Sequence, residues 1–380
     1  PSMSRRQRQM CIIDSYNKII LEKSLIVISI KTKLISVPFS DPPQTGFLTL
    51  EKIDLLIVQV ETKDGVIGTG HLHPLAGGLK TLEMCINEML KPLIIGESID
   101  NIEALWNKMW NATFIQGRMG ITVMAMSALD IALWDCYGRT KEMPLWKIWK
   151  GNQKPLPVYG SGCYRGLGHD GMIQKAKKYV GQGFKSIKMQ VAHCFTNDED
   201  IVNVRDMRDE LGKDIGIMID VNQGWTVEET IKVCPKIESY EPEWLEEPIM
   251  ADDFDGYDKV CNSTPIPIVT GENNFTHHDL LPLMRGKKIP ILQPDIMRGG
   301  YTNLIYSSKL ANKFGITIAP HMFPELSIHI VASIQNPSWL EYMGWYDHLW
   351  KEPLLPKNGT LTPTSRHGHG MDFKTEIGIS

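Results

Sequence analysis

The sequence predicts an α/β barrel of the TIM type joined to a smaller α+β domain. Three observations carry that prediction. From Pro155 to Glu341, eight short apolar runs alternate with amphipathic stretches: LPVYGSG, FKSIKMQV, IGIMIDV, EWLEEPI, IPIVTGE, IPILQPD, ITIAPHM and WLEYM. Eight strand–helix units in one run specify a closed barrel rather than an open sheet. Ahead of them, strand-like runs are followed by a series of helical ones, the order of an α+β domain. Finally, three barrel runs end in an acid at one phase of the repeat. These are Asp220, Glu246 and Glu272, and 246 − 220 and 272 − 246 both give 26 residues. A strand, a loop and a helix fill about that length.

In chain order, residues 1–24 read as an extension. Arg5, Arg6 and Arg8 resemble the start of a signal peptide, but Asp14, Lys18, Glu22 and Lys23 interrupt any apolar core. The segment is therefore expected to be poorly ordered or a short accessory helix. Residues 25–150 form the α+β domain. IVISIKTKLISV and DLLIVQVETK alternate with period two, and Asp64-Gly65 before VIGTGHL predicts a hairpin with a two-residue turn. FSDPPQTGF between the first two runs reads as a loop. Helical spacing follows over Leu79–Leu93, Ile99–Trp110 and Ile121–Gly138, the last apolar nearly all round and so buried. Residues 151–343 form the barrel, with helices predicted at Asp198–Leu211, Val227–Ile237 and Tyr301–Phe314. Residues 344–380 show little periodicity. Two His-x-His pairs, His71/His73 and His367/His369, lack the further ligands of a zinc site. The first pair reads as ordinary strand-end residues and the second as part of a solvated, Gly-rich loop.

Composition narrows the function. A net charge of −4 gives no bulk attraction for nucleic acid or membrane. No apolar run approaches the roughly 20 residues that span a bilayer. Seven scattered cysteines, none in a C-x-x-C pair, suit free thiols in a reducing cytoplasm.

The chemistry lies at the ends of the barrel runs. In a barrel, successive strand ends share one rim, so Asp220, Glu246 and Glu272 converge there. Each acid alone is as readily a loop residue or a helix cap. Three together repel unless a cation sits between them. An all-oxygen donor set favours Mg²⁺ over zinc. Asp295 and His321 end neighbouring runs, so their side chains can meet. A carboxylate that holds imidazole in one tautomer makes a general base. Asn222 lies two residues past Asp220, on the same face of an extended chain. Glu247, next to Glu246, points the other way.

DVNQ, WLEEP and TGEN resemble the metal-ligand segments of the enolase superfamily, in its mandelate racemase subgroup. The resemblance runs from about Ile26 onward. It implies a (β/α)7β barrel with a capping domain built from the N-terminal region and completed by the C-terminal segment. It also implies Mg²⁺ on Asp220, Glu246 and Glu272, and cap loops Phe39–Phe47 and His71–Gly78 that shape specificity. Asp295 and His321 match the family's catalytic pair. Glu341 matches an acid that hydrogen-bonds the enolised carboxylate opposite the metal. After Gly183-Phe184 the subgroup carries Lys-x-Lys. Here Lys188 fills the first position, suited to binding the substrate carboxylate, and Gln190 the second. An amide accepts no proton at neutral pH, so one good base remains and the expected reaction is dehydration. The candidate substrate contacts are Asn222, Gln190 and Tyr164. APHMFPELSIH and LHPLAGG look most like acid-sugar dehydratases, such as those acting on galactarate or talarate. The expected protein is a cytoplasmic homo-oligomer acting on a small carboxylate. A racemase or epimerase, and a non-catalytic metal-binding paralogue, remain as alternatives.

Overall fold

The computed structural model describes residues 25–46, 48, 50–75, 77–286, 288–335 and 338–379. The extension 1–24, together with Phe47 and Ala76 of the two cap loops, lies outside the described residues.

The chain begins with an antiparallel sheet in the order β1-β2-β3, formed by β1 (Val27–Pro38), β2 (Lys52–Thr62) and β3 (Ile67–Leu72). The β2–β3 connection is four residues long rather than two. Gly65 takes the left-handed conformation in it, with φ 75, and Thr62 N–H bonds to Val66 O. Helix α1 (Leu79–Met84) runs through a π-helical stretch, Cys85–Leu90, into α2 (Lys91–Ile94). Helices α3 (Ile102–Ala112) and α4 (Ile121–Thr140) follow. Helix α4 is buried almost all round and lies across β3. Glycine on the strand permits that approach: a Cβ at Gly70 would overlap Ala128 O of the helix.

After the short α5 (Leu145–Ile148) the barrel alternates strictly. Its strands and helices are β4 (Leu156–Cys163), α6 (Gly168–Gly181), β5 (Ser186–Gln190), α7 (Asn197–Leu211), β6 (Gly216–Asp220), α8 (Val227–Ile237), β7 (Trp244–Glu246), α9 (Phe254–Ser263), β8 (Ile268–Thr270), α10 (His277–Gly286), β9 (Ile291–Leu292), α11 (Gly300–Phe314), β10 (Thr317–Ile318), α12 (Pro324–Val331) and β11 (Leu340–Tyr342). All eight predicted runs form strands. They lie parallel in the order β10-β9-β8-β7-β6-β5-β4-β11. Period-two alternation sorts their side chains. Ile187, Met189, Ile217 and Ile219 pack outward in the layer beneath the helices, while Tyr159, Met218, Trp244 and Val269 fill the barrel interior.

Among the described residues β10 and β11 do not pair, so the hydrogen-bonded ladder stops short of a full circle. The turn after β10 reaches across that seam instead, with Met322 N–H donating to the Glu341 carboxylate of β11 at 2.9 Å.

Beyond β11 the chain returns to the first sheet. Trp345, Tyr346, Leu349, Trp350, Met371 and Phe373 share a core with residues of β1–β3 and α4. Lys33 Nζ donates to Gly378 O at 2.6 Å. Three of the four His-x-His residues, His71, His73 and His369, are buried in the cap. His71 is enclosed by the rings of Phe323, Trp350 and Phe373, and burial lowers its pKa to about 3. His73 bonds to Tyr346 OH at 2.6 Å. The solvated-loop reading holds for exposed His367 and fails for His369. His369 is 1% exposed, and its Nε2 bonds to Thr69 O at 2.7 Å. Glycines at 368 and 370 turn it back into the cap instead of leaving it in solvent.

Asp130 of α4 ties cap to barrel. Its carboxylate is fully buried and accepts from Thr302 N at 2.9 Å and Thr302 Oγ1 at 2.6 Å, in the first turn of α11. Burial raises its pKa to about 7, against the opposing effect of those hydrogen bonds. The folded state therefore holds a proton between about pH 4 and 7 that the unfolded chain has released. This stabilising contribution is present at low pH and is lost as pH rises through 7. Asp130→Asn should flatten that part of the stability–pH curve relative to wild type. Urea denaturation of both proteins at pH 5 and pH 7.5 measures it, and parallel curves would refute the assignment.

Candidate active site

The barrel register brings the predicted residues to one rim. Gln190 pairs with Asp220, Asp220 pairs with Glu246, and Glu246 pairs with Val269, three residues before Glu272. Asp295 and His321 extend β9 and β10 through one parallel bridge. Glu341 is the middle residue of β11 and pairs with Tyr159.

His321 Nδ1 lies 3.0 Å from Asp295 Oδ2, and Asp295 is fixed in turn by Met297 N–H, 2.7 Å from its Oδ1. The other imidazole nitrogen, Nε2, faces Glu272 Oε2 at 3.5 Å and Glu341 Oε2 at 4.0 Å. Burial by itself would lower the imidazole's pKa. The carboxylates of Glu272, Asp295 and Glu341 outweigh burial and raise it to about 10.

Lys188 is 3% exposed, inside the rim rather than on the surface. Its ammonium bonds to Glu246 Oε1, lies 2.9 Å from Glu341 Oε1 and 3.6 Å from Asp220 Oδ2. Burial opposes its charge, but Glu246 and Glu341 hold its pKa well above the usual lysine value. The same pairing, with His321, lowers Glu341 to about 2 against its own burial. Tyr159 stands below, its ring 5.7 Å from Lys188 Nζ.

Glu246 is engaged at both oxygens, since Oε2 accepts from Trp244 Nε1 at 2.9 Å and Gln293 Nε2 at 2.8 Å. Glu247 turns away, as alternation predicts, and accepts from Asn273 Nδ2 at 2.7 Å. Asn222 does reach Asp220, for a different reason from extended alternation. It is left-handed, with φ 47, and bonds back through its N and Nδ2 to the two carboxylate oxygens at 2.9 Å each. Tyr164 is buried and its hydroxyl accepts from Trp345 Nε1 at 2.7 Å. Gln190 is partly buried, and its Oε1 is enclosed with no hydrogen-bond partner.

Sequence reasoning missed two neighbours. Gln293 lies two residues before Asp295, and so on its face of the strand. Arg165 directly follows Tyr164 at the end of the first barrel strand. It is 1% exposed, and its Nη2 donates to Asn222 Oδ1 at 2.6 Å.

Among the described residues no three His, Cys, Asp or Glu side chains are grouped as a set of metal ligands. Lys188 stands among the acids instead, as electrostatics dictates for a flexible cation beside several carboxylates. The rim nevertheless fits a hard divalent cation. Asp220, Glu246, Glu272, Asp295 and Glu341 are five buried carboxylates against three cations, Lys188, His321 and Arg165, a surplus of 5 − 3 = 2 negative charges. Such a surplus is costly unless another cation offsets it. The donors are all oxygen, and Glu272 Oε2 is buried without a hydrogen-bond partner.

Comparison with known proteins identifies the family of the chain. Residues 28–149 match the mandelate racemase / muconate lactonizing enzyme N-terminal domain, and residues 171–377 match the enolase C-terminal domain-like family. The chain is 30% identical to 3,6-anhydro-alpha-L-galactonate cycloisomerase of Streptomyces coelicolor, over 84% of this chain and 90% of that one. It is 30% identical to L-talarate/galactarate dehydratase of Salmonella typhimurium, over 86% of this chain and 82% of that one. Among solved structures, a racemase from Streptomyces coelicolor with bound magnesium superposes with a TM-score of 0.88 at 27% identity, covering 92% of this chain and 98% of that one. L-talarate dehydratase from Polaromonas, complexed with Mg and L-glucarate, gives 0.85 at 26% identity, covering 93% and 96%. With both halves matched and the rim residues placed as described, the chain belongs to the mandelate racemase / muconate lactonizing enzyme family of the enolase superfamily.

Proposed function

We propose that the protein is a Mg²⁺-dependent lyase that removes the α-proton of an acid-sugar carboxylate and expels water to give a 2-keto product. One observation carries this reading. His321, oriented by Asp295, faces the carboxylate rim, while the matching position on β5 is the amide Gln190.

A divalent cation bound to Glu272 would offset the carboxylate charge that keeps His321 protonated, and the neutral imidazole then takes the α-proton at Nε2. Asp295 holds Nδ1–H in place and stabilises the imidazolium that forms. Lys188 donates to the substrate carboxylate, and Glu341 steadies Lys188 and borders the same group. Asp220, Glu246 and Glu272 would hold Mg²⁺, which when bound would supply positive charge beside the substrate carboxylate. The imidazolium then returns its proton to the departing β-hydroxyl, so that one His serves both steps and the leaving group departs as water. Tyr164, Asn222 and Gln190 border the bound substrate.

A racemase needs a second base on the opposite face, and an amide at 190 does not supply one. A non-catalytic paralogue has no use for a buried His–Asp pair.

The test is a screen of acid sugars with Mg²⁺, followed by ¹H NMR in D₂O. It includes anhydro-sugar acids, which the name of the cycloisomerase relative suggests. The expected result is a 2-keto product, with no accumulation of the substrate's epimer. Gln190→Lys should gain slow epimer formation, because Lys188 beside it lowers the new amine's pKa towards neutrality. Epimers interconverting in wild type as fast as any dehydration would replace the lyase reading with the racemase one.

A further inference from the structure

We propose that Trp244 and Gln293 clamp one oxygen of Glu246, so that this ligand offers a divalent cation its other oxygen alone, and that the clamp selects Mg²⁺ over Ca²⁺. The inference rests on the Mg²⁺ reading above and assigns two positioning residues that the reading leaves out.

The three proposed ligands are held in different ways. Asn222 donates to both oxygens of Asp220, one bond to each. Among the described residues Glu272 Oε2 has no hydrogen-bond partner. Glu246 Oε2 accepts from two neutral side chains at once, Trp244 Nε1 at 2.9 Å and Gln293 Nε2 at 2.8 Å. Its other oxygen, Oε1, meets the ammonium of Lys188. A lysine stem is flexible and can yield that place to another cation.

The clamp is built into the barrel core and does not yield in the same way. Trp244 is almost fully buried, and its ring meets that of Tyr159 edge-on, with 5.4 Å between centroids. Gln293 is fully buried, and its backbone N–H donates to Thr270 O at 2.9 Å, continuing β9 along β8. Gly271 lets the chain that carries Glu272 pass this close, since a Cβ there would lie 3.0 Å from Gln293 N. The bond to Glu246 also fixes the Gln293 amide, because reversing it would set oxygen against carboxylate oxygen.

Turning Oε2 to a metal would strip the acceptor from two buried N–H groups, which is costly. Glu246 is thereby fixed as a ligand through one oxygen. That suits Mg²⁺, which demands a near-ideal octahedron and binds few carboxylates. Ca²⁺ takes more oxygens in a looser shell, often both oxygens of one carboxylate. The clamp withholds one of them.

The test is isothermal calorimetry with MgCl₂ and with CaCl₂ on wild type, Gln293→Leu and Trp244→Phe. Leucine fills much of the glutamine's volume and phenylalanine keeps an aromatic ring, while each change removes one donor. Circular dichroism and thermal melts check the folds. Wild type should bind Mg²⁺ more tightly than Ca²⁺. Each variant should lower the ratio of Mg²⁺ to Ca²⁺ affinity by at least about 10-fold. A merely structural role would weaken both cations alike or lower only the melting temperature. An unchanged ratio in Gln293→Leu, or a wild-type preference for Ca²⁺, overturns the proposal while the metal site stands. Should Gln293→Leu not fold, Trp244→Phe decides by the same criterion. Binding of neither cation by wild type overturns the metal reading and the clamp together.

Discussion

His321→Asn removes dehydration and α-proton exchange together, each by at least about 10²-fold, while the protein stays folded. The expectation follows from the position of the ring. Nδ1 is taken by Asp295, so Nε2 is the nitrogen left to face the substrate, at the rim between Glu272 and Glu341. Asparagine keeps a hydrogen-bonding group for Asp295 and carries no basic nitrogen. Exchange is the more telling readout, because it reports proton removal even when later steps are slow. The measurement is loss of the α-proton signal in D₂O beside formation of the 2-keto product. Exchange that survives in the variant while dehydration stops would move the base elsewhere, with Tyr164 and His193, whose Nε2 lies 2.9 Å from Asn222 O, the first to examine.

Removing the metal, or one of its proposed ligands, has an effect of similar size or larger. Excess chelator should abolish turnover, and added Mg²⁺ should restore it. Glu272→Gln must be read by Mg²⁺ binding as well as by turnover, because the Glu272 carboxylate also faces His321 Nε2 at 3.5 Å and raises that imidazole's pKa. Asp220→Ala and Glu246→Ala also release Lys188 or Asn222 from their present partners. Several kcal/mol of charge stabilisation is at stake, so turnover should fall by about 10³-fold or more. Isothermal calorimetry should show Mg²⁺ binding by wild type and its loss in Glu272→Gln. Full turnover in excess chelator would sink the metal assignment.

Much of this was readable in the chain because the barrel repeats. All eight strands could be placed because each is a short apolar run at a steady interval, and the interval put Asp220, Glu246 and Glu272 in phase. Asp295 and His321 were legible for the same reason. What escaped was whatever a left-handed residue or a long side chain decides. Asn222 reaches Asp220 through a positive φ that alternation does not foresee. Lys188 looks from sequence like a residue poised for substrate, yet it lies among the acids, because a four-carbon stem lets its charge go where the field is strongest. His369 reads as part of a polar tail until the fold shows it bonded to Thr69, 300 positions earlier in the chain. Arg165 carries no period at all, and contact alone reveals it.

The seam between β10 and β11 limits how such an enzyme can diverge. Where the other barrel neighbours are joined by backbone pairing, these two meet through Glu341, which accepts Met322 N–H across the gap and binds Lys188 inside it. A residue that closes the scaffold and, in the proposed mechanism, also borders the reacting group cannot be exchanged to suit a new substrate without loosening the wall behind it. Adaptation to other acid sugars is thereby directed away from the barrel and towards the cap loops and the side chains they cover, where a change alters which molecule fits and leaves the proton-transfer machinery in place.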